Sequence, residues 1–399
     1  MPFTDRVVTA RARELLQLIL LPGLGSVRAS GLLDEFGGSA DRVLGASHAA
    51  WCAVHGIGRV TSEKARAGIP GVLGLVEEEL DRMESAGVRG IAIGDPGYPS
   101  LLEELPDAPR LLFFRGSFGP SDGEPTRDAY PVAIVGSRRC TQYGIEQAER
   151  FAGVLGRSGL TIVSGGARGI DTASHRGALR SGGRTVVVQG CGLGRAYPPE
   201  NSDLFERIVS DGAGAIVSEL PMLTVAQGKH FPARNRIISG LSLGVIVIEA
   251  GRKSGALITA GMAVESHGRE VMVLPGRVDS ESIAGSLGLL KRGCGAMVTE
   301  PGDVLEILEA PARFAHAGTH GDRYADPAAE PGLGAGLMSQ NEDAEAVLRA
   351  IAAAGIGGGS LDGLHRATGL EVSRLRTAMT LLEISGRVKR VSGLFVLAK

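Results

Sequence analysis

Short, almost uninterrupted apolar runs recur through the middle of this 399-residue chain, separated by sequence that favours helices. A strand that is buried on both faces needs apolar side chains at every position, whereas a strand with one wet face alternates. The runs therefore predict a parallel sheet whose strands are joined by right-handed helical crossovers. The expected strands are Val132–Val135, Thr161–Val163, Thr185–Val188, Ala215–Val217, Val245–Ile248 and Val271–Leu274.

The segment from Pro131 to Glu300 is predicted to be a doubly wound, extended Rossmann-like α/β sheet within a domain of residues 76–309. Sheets of this kind bind ligands outside the carboxyl ends of their strands. Glycine, serine and arginine cluster at those positions, so we expect them to converge on one rim. The segments concerned are Gly136–Arg139, Ser164–Gly169, Gly190–Gly192, Ser218–Glu219 and Glu249–Ser254.

Two similar glycine turns lie within residues 1–75, which we expect to form a small all-α domain. Leu21–Ser26 and His55–Arg59 each carry a Gly-x-Gly step flanked by helix-favouring sequence. The pair resembles a helix-hairpin-helix motif, in which amides at a helix N-terminus hold a phosphate without reading sequence. The same glycines are explained by tight turns in a sterile-alpha-motif-like interaction domain, and both explanations stay open.

The C-terminal part changes character twice. Residues 310–341 are rich in Ala, Gly, Pro and His without a period, which predicts a flexible linker. Residues 342–399 predict three helices and a hairpin, the outline of a winged helix, with Arg374 and Arg376 on its recognition helix. This domain has eight Lys/Arg against six Asp/Glu, so contact with DNA and contact with protein both stay open.

Composition limits the class of protein further. With a formal net charge of −2, the whole chain does not attract a polyanion from a distance, so a nucleic-acid site must be local. The absence of a Cys-x-x-Cys pair argues against a zinc ribbon or disulfide framework and fits a reducing compartment. With no signal peptide and no apolar run of roughly 18 residues, we expect a cytoplasmic protein without membrane contact.

The glycine-rich segments at the strand ends do not match the known cofactor-binding motifs. Gly190–Arg195 lacks the third glycine spacing of a dinucleotide site, and Gly251–Gly255 has the wrong order for a Walker loop. We therefore expect a protein that is not an enzyme and that needs no metal or other cofactor.

Asp171 is expected to cap the helix that follows strand Thr161–Val163, in preference to acting as a general base, and His175 is expected to be packed.

The densest cationic cluster lies between residues 229 and 253, which contain five Lys/Arg and one acid, Glu249. Each phosphate contact to a single strand contributes a salt slope of roughly −0.7, so a few such residues give useful affinity. A loop-lined crevice fits one flexible strand better than a duplex, and Phe231 adds a stacking surface. The expected DNA-binding residues are Gly136, Ser137, Arg138, Gly165, Gly166, Arg168, Lys229, Phe231, Arg234, Asn235, Arg236, Lys253 and Ser254.

Several runs, taken in this order, resemble the DNA-processing protein DprA (Smf) family, and the match covers about 170 residues. They are Gly136–Arg138, Ser164–Asp171, Ala196–Asn201, Ser218–Glu219, Phe231–Ser242, Lys253–Ala260 and Leu274–Gly276. The resemblance implies a mediator that binds single-stranded DNA, protects incoming DNA during natural transformation and loads the RecA recombinase onto it. It also implies a homodimer formed through the Rossmann-like domain.

Two other functions stay open. The first is a nucleotide-processing enzyme resembling the phosphoribohydrolases of the related lysine-decarboxylase-like fold group. Their Pro-Gly-Gly-x-Gly-Thr-x-x-Glu run is replaced here by Lys253–Thr259, which lacks that glutamate. The second is a transcription factor that acts through residues 342–399.

Overall fold

The computed structural model describes residues 7–120, 127–315, 346–353, 361–370, 388–391 and 394–397, with the single positions 375, 378, 379 and 382. The chain forms two compact units, Met1–His316 and Ala317–Lys399. The finer division expected from the sequence, with boundaries at residues 75, 309 and 341, stays a prediction. Helix Pro301–Ala315 extends past residue 310, and residues 316–341 lie outside the described part.

A nine-stranded sheet forms the centre of the first unit. Its strands are β1 (Val88–Ala92), β2 (Leu111–Gly116), β3 (Pro131–Val135), β4 (Thr161–Ser164), β5 (Thr185–Val188), β6 (Gly214–Ser218), β7 (Gly244–Val247), β8 (Glu270–Val273) and β9 (Ala296–Met297). They lie in the order β1-β2-β6-β5-β4-β3-β7-β8-β9. Strands β3 to β9 are mutually parallel, and β2 is antiparallel to both of its neighbours. The six strands predicted from the apolar runs are confirmed to within one residue at each end.

Helices cover both faces of this sheet. They are α1 (Ala10–Ile19), α2 (Ser26–Glu35), α3 (Ala40–Gly45), α4 (His48–Ala53), α5 (Arg59–Ala67), α6 (Val72–Ser85), α7 (Ser100–Glu103), α8 (Gln142–Arg157), α9 (Ile170–Arg180), α10 (Ser202–Ser210), α11 (His230–Gly240), α12 (Ala256–Glu265), α13 (Ala284–Lys291) and α14 (Pro301–Ala315). In β3, Val132 and Ile134 share a core with α8, α9 and α14, whereas Ala133 and Val135 share one with α11, α12 and α13. The predicted doubly wound α/β fold is therefore confirmed.

The N-terminal helices pack on one edge of the sheet. Their core joins Leu16, Leu32 and Trp51 to Leu111 and Phe113 of β2. Helix α6 belongs to this core and runs across residue 75 without a break.

The two glycine turns have closely similar geometry. Gly23 and Gly56 have positive φ angles of 83° and 80°, and Gly25 and Gly58 are the N-caps of α2 and α5. The Arg28 guanidinium donates to the carbonyl oxygens of both Gly23 and Gly56 at 3.0 Å. One side chain therefore joins the two turns, and both explanations of the glycines stay predictions.

The second unit has the elements of a winged helix. Residues 346–353 and Leu361–Thr368 are helical, and β10 (Val388–Val391) and β11 (Leu394–Leu397) form an antiparallel hairpin. Their apolar side chains share one core, which includes Val347, Leu364 and Phe395. Arg374 and Arg376 lie outside the described residues. Across the described parts of both units, no helix is long and apolar enough to cross a membrane.

Candidate nucleic-acid interface

The strand order reverses at β3, which has β4 on one side and β7 on the other. The chain proceeds outward from β3 to β6 and then crosses back to β7 through α11. An open α/β sheet has a crevice at such a switch point, outside the carboxyl ends of the strands. The loop after β3, the start of α11 and the loop after β7 therefore meet at one place.

A pocket of about 800 Å³ lies at this switch point. Eight of the predicted DNA-binding residues line it: Gly136, Ser137, Arg138, Phe231, Arg234, Asn235, Lys253 and Ser254. The other five are described in the structure but are not part of its wall: Gly165, Gly166, Arg168, Lys229 and Arg236. The wall also contains Arg139 and Arg252, which the sequence-based selection omitted although both adjoin selected residues.

The described wall of the pocket is strongly cationic. Arg138, Arg139, Arg252 and Lys253 are exposed and Arg234 is buried, against one carboxylate, the buried Asp171. Helices α11 and α12 also begin at the wall, and the N-terminus of a helix carries a partial positive charge. The positive charge of the pocket wall favours the binding of a polyanion.

Arg138 and Phe231 form one contact within the wall. The Arg138 guanidinium carbon lies 4.9 Å from the centroid of the Phe231 ring, which is a cation–π distance. The Phe231 ring also lies 5.5 Å from the ring of Tyr197, and the two ring planes are tilted by 38°. A Cβ at Gly190 would come within 3.0 Å of the Phe231 ring, so the glycine makes room for it.

Glu249, at the carboxyl end of β7, holds the loop that follows β3. Its buried carboxylate accepts hydrogen bonds from the Thr141 amide at 3.0 Å and the Thr141 hydroxyl at 2.7 Å, and its carbonyl oxygen accepts from the Ser137 amide. The Ser137 hydroxyl in turn accepts from the Arg139 amide. Because the Ser137 and Arg139 amides already have partners within the protein, the exposed guanidinium of Arg138 is the group that this loop presents to a ligand.

Arg234 lies beneath the pocket and is 5% exposed. Its guanidinium donates to the carbonyl oxygen of Gly165 at 2.6 Å and to that of Val188. Burial lowers the pKa of Arg234 to about 10, which leaves it charged at neutral pH. Arg234 therefore fastens the loop after β4 to the end of β5 and supplies positive potential from behind the wall.

Arg236 and Arg168 have carboxylate partners away from the pocket wall. Arg236 pairs with Glu219, and both side chains are mostly buried. Arg168 is exposed and pairs with Glu200. Lys229 is exposed at the N-cap of α11.

The expectation that Asp171 caps a helix is wrong. Helix α9 begins at Ile170, with Gly169 as its N-cap at a φ of 78°. Asp171 is the second helical residue, and its carboxylate accepts from the Ala167 amide at 3.2 Å. Burial raises the pKa of Asp171, while Arg234 opposes that shift.

His175 is fully buried, as the sequence led us to expect. Its Nδ1 lies 2.7 Å from the Thr185 hydroxyl of β5. Burial lowers the pKa of His175 to about 3, so the ring is neutral at neutral pH. The side chain therefore joins α9 to the sheet.

A Gly-x-Ser-x-Gly spacing, typical of hydrolases, occurs at Gly240–Gly244. A nucleophile elbow runs from a strand into a helix, whereas this segment runs from α11 into β7. The Ser242 hydroxyl is buried and donates to the Ile238 carbonyl oxygen. In the described part of the chain, no group of three or more His, Cys, Asp or Glu side chains is placed to hold a metal ion.

Fold and pocket together define a doubly wound α/β protein with a cationic pocket at its switch point. The chain belongs to the DNA recombination-mediator protein A (DprA/Smf) family, whose model matches residues 89–309. The model of the DprA winged helix domain matches residues 326–393, which agrees with the predicted winged helix.

Individual relatives and solved structures are similar to this chain. Protein Smf from Synechocystis sp. is 38% identical over 315 residues, which are 75% of this chain and 77% of that protein. The X-ray structure of DNA processing protein A from Streptococcus pneumoniae is 32% identical with a TM-score of 0.58, covering 73% of this chain and 95% of its own. A Helicobacter pylori DNA processing protein A structure, described by its single-stranded DNA binding mode, is 28% identical with a TM-score of 0.47 over 54% of this chain and 94% of its own.

Proposed function

We propose that this recombination-mediator protein binds single-stranded DNA in the switch-point pocket and hands the strand to a RecA-type recombinase. The proposal depends on the charge of the described pocket wall, which has five cationic side chains and one carboxylate. This local positive charge contrasts with the net charge of −2 of the whole chain. A local cationic wall on an acidic protein concentrates the attraction for phosphates at one place.

The proposed contacts follow from exposure. Arg138 and Lys253 are exposed on the loops after β3 and β7, so their charged groups can reach phosphates on either side of the pocket. Arg139 and Arg252 stand beside them and extend the cationic wall. Ser137, Asn235 and Ser254 supply polar groups between the cations, and Phe231 supplies an aromatic ring beside Arg138.

The other predicted residues have indirect roles in this proposal. Arg234 contributes charge from behind the wall, and Gly165 gives its guanidinium the space it occupies. Arg236 holds Glu219, and Gly166 shapes the turn after β4 with a φ of 66°.

The charge reversal Arg138→Glu with Lys253→Glu tests the pocket. We expect the double variant to lose binding to a fluorescein-labelled 20-nucleotide oligothymidylate in anisotropy titrations. The wild-type protein should bind it with an affinity that falls steeply as salt rises. The matched control is Arg157→Glu, an exposed arginine at the end of α8, distant from the switch point. Unchanged binding by the double variant, with an unchanged thermal melt, would refute the site.

Delivery to the recombinase needs its own assay. We expect the wild-type protein to speed the formation of RecA filaments on strands coated with single-strand-binding protein, and the double variant to give no acceleration. Binding without acceleration would restrict the function to strand protection. A role in natural transformation and a homodimer formed through the Rossmann-like domain belong to the same proposal, and the molar mass in solution tests the dimer.

A further inference from the structure

Three exposed apolar side chains lie on two adjoining loops, and one of them, Tyr197, contacts the pocket residue Phe231. Tyr197 is on the loop after β5, and Leu223 and Val225 are on the loop after β6; they are 37%, 57% and 55% exposed. We call these three residues the apolar ledge. Large apolar side chains that are grouped on a surface mark a contact with something that covers them.

Backbone hydrogen bonds hold the two loops together. The Gly192 amide donates to the Thr224 carbonyl oxygen at 2.9 Å, and the Gly194 amide donates to that of Met222 at 3.0 Å. A Cβ at Gly192 would come within 2.0 Å of the Pro221 carbonyl oxygen, so only glycine permits this approach. The ledge therefore exists before any ligand binds.

Tyr197 connects the ledge to the pocket. Its amide donates to the side chain of Gln189, which is almost fully buried and fixes the position of this residue. Its ring lies 5.5 Å from that of Phe231, which in turn lies under Arg138 in the pocket wall. A row of groups in contact thus runs from Arg138 in the pocket wall, through Phe231, to Tyr197 of the ledge.

Cations border the ledge. Arg195 and Lys229 are exposed on the same two loops, and Arg168 is exposed close to Tyr197, where it pairs with Glu200. Arg168 and Lys229 are two of the predicted DNA-binding residues that do not line the pocket. Their place next to exposed apolar groups suits a ligand that has both phosphates and flat apolar surfaces.

We propose that the apolar ledge receives the bases of the strand whose phosphates occupy the pocket, an inference that rests on the proposed function. An unpaired base can turn an apolar face toward Tyr197, whereas the bases of a duplex are already stacked on their neighbours. The pocket then supplies charge-dependent affinity, and the ledge supplies the preference for single-stranded over double-stranded DNA. Its continuity with the cationic wall favours bases over a protein partner.

The test compares two probes with equal phosphate number: a labelled 20-nucleotide oligothymidylate and an abasic chain of 20 sugar-phosphates. Anisotropy titrations should show that the wild-type protein prefers the first probe by at least about fivefold, since stacking of one base is worth that factor or more. Tyr197→Ala and the double variant Leu223→Ser, Val225→Ser should lose this preference while binding the abasic chain like the wild type. Tyr197→Phe should keep it.

The matched control is Leu73→Ser, because Leu73 of α6 is similarly exposed. If the ledge variants keep the wild-type preference while Arg138→Glu with Lys253→Glu binds neither probe, the ledge is refuted and the pocket stands. Equal weakening toward both probes would also refute it, because Tyr197 would then act by supporting Phe231. If the wild-type protein binds neither probe, the proposed function itself fails.

Discussion

The guanidinium of Arg234 lies against the backbone of Gly165 and donates to its carbonyl oxygen at 2.6 Å. A Cβ at this position would come within 2.6 Å of the guanidinium, which cannot retreat because it also donates to the Val188 carbonyl oxygen. The contact gives Gly165 a role in stability that its position in a glycine-rich loop does not reveal.

Gly165→Ala should therefore lower the free energy of unfolding by about 1–3 kcal/mol, the usual cost of overpacking a buried site. Urea denaturation measures this change. Gly74→Ala is the control, because a Cβ at Gly74 on helix α6 meets nothing within 4 Å and alanine favours a helix. Equal stability of the two variants would contradict the role of the contact.

Glu249→Gln tests the loop after β3. The variant weakens two charge-assisted hydrogen bonds to Thr141 in a buried setting, so we expect a loss of about 1–3 kcal/mol in the free energy of unfolding. Binding to oligothymidylate should also weaken, because Arg138 and Arg139 are on the loop that Thr141 ends. The control is the exposed Glu265→Gln on α12, and an unchanged affinity would show that the loop holds its shape without Glu249.

His175 predicts part of the dependence of stability on pH. Its pKa is about 3 in the folded state and 6.5 when unperturbed, so below pH 6.5 the unfolded chain takes up a proton that the folded chain does not. The free energy of unfolding then falls as the pH falls toward 3, by about 2 kcal/mol between pH 7 and pH 5 for this group alone. Urea denaturation at both pH values should show that His175→Gln loses this part of the change. Identical changes in both proteins would mean that His175 does not titrate in this way.

Removal of residues 317–399 separates a mediator from a transcription factor. If the switch-point pocket binds the strand, the remaining unit should keep most of its affinity for oligothymidylate in an anisotropy titration. Loss of all DNA binding by a truncated protein that still melts cooperatively would favour a regulator that acts through the winged helix.

Incubation with nucleoside monophosphates tests the enzyme alternative. We expect no free base above the blank when the products are separated by chromatography, because the glutamate run of the phosphoribohydrolases is replaced by Lys253–Thr259. If the wild-type protein releases free base and the variant Arg138→Glu does not, the pocket would instead be the binding site of a nucleotide.

The sequence predicted the central strands because burial on both faces leaves almost no polar positions in them. Strands β1 and β2 were not individually predicted. Arg89 and Gly90 interrupt the apolar run of β1, and in β2 the four apolar residues Leu111–Phe114 are followed by Arg115. Arg115 pairs with Glu206 at the side of the sheet, where a polar side chain can still reach solvent. Strand β9 has two residues, both exposed, and leaves no signal in the pattern.

The site could be predicted in part for a similar reason. Arg138 and Lys253 lie on the loops that follow β3 and β7, and the fold alone places such loops at the rim. The burial of Arg234 could not be predicted, because its two carbonyl partners are 69 and 46 residues away along the chain. The same applies to Glu249, whose partner Thr141 is 108 residues distant.

The position of the pocket at β3 and β7 has a mechanical consequence. These two strands are flanked by other strands on both sides, so neither is an edge of the nine-stranded sheet. A DNA strand that is pulled while it lies in the pocket would transmit its tension to the middle of the sheet, where the load is shared by hydrogen bonds on both sides. A force on an edge strand breaks its backbone hydrogen bonds one after another. A force on β3 or β7 is instead distributed over the hydrogen bonds to both neighbouring strands.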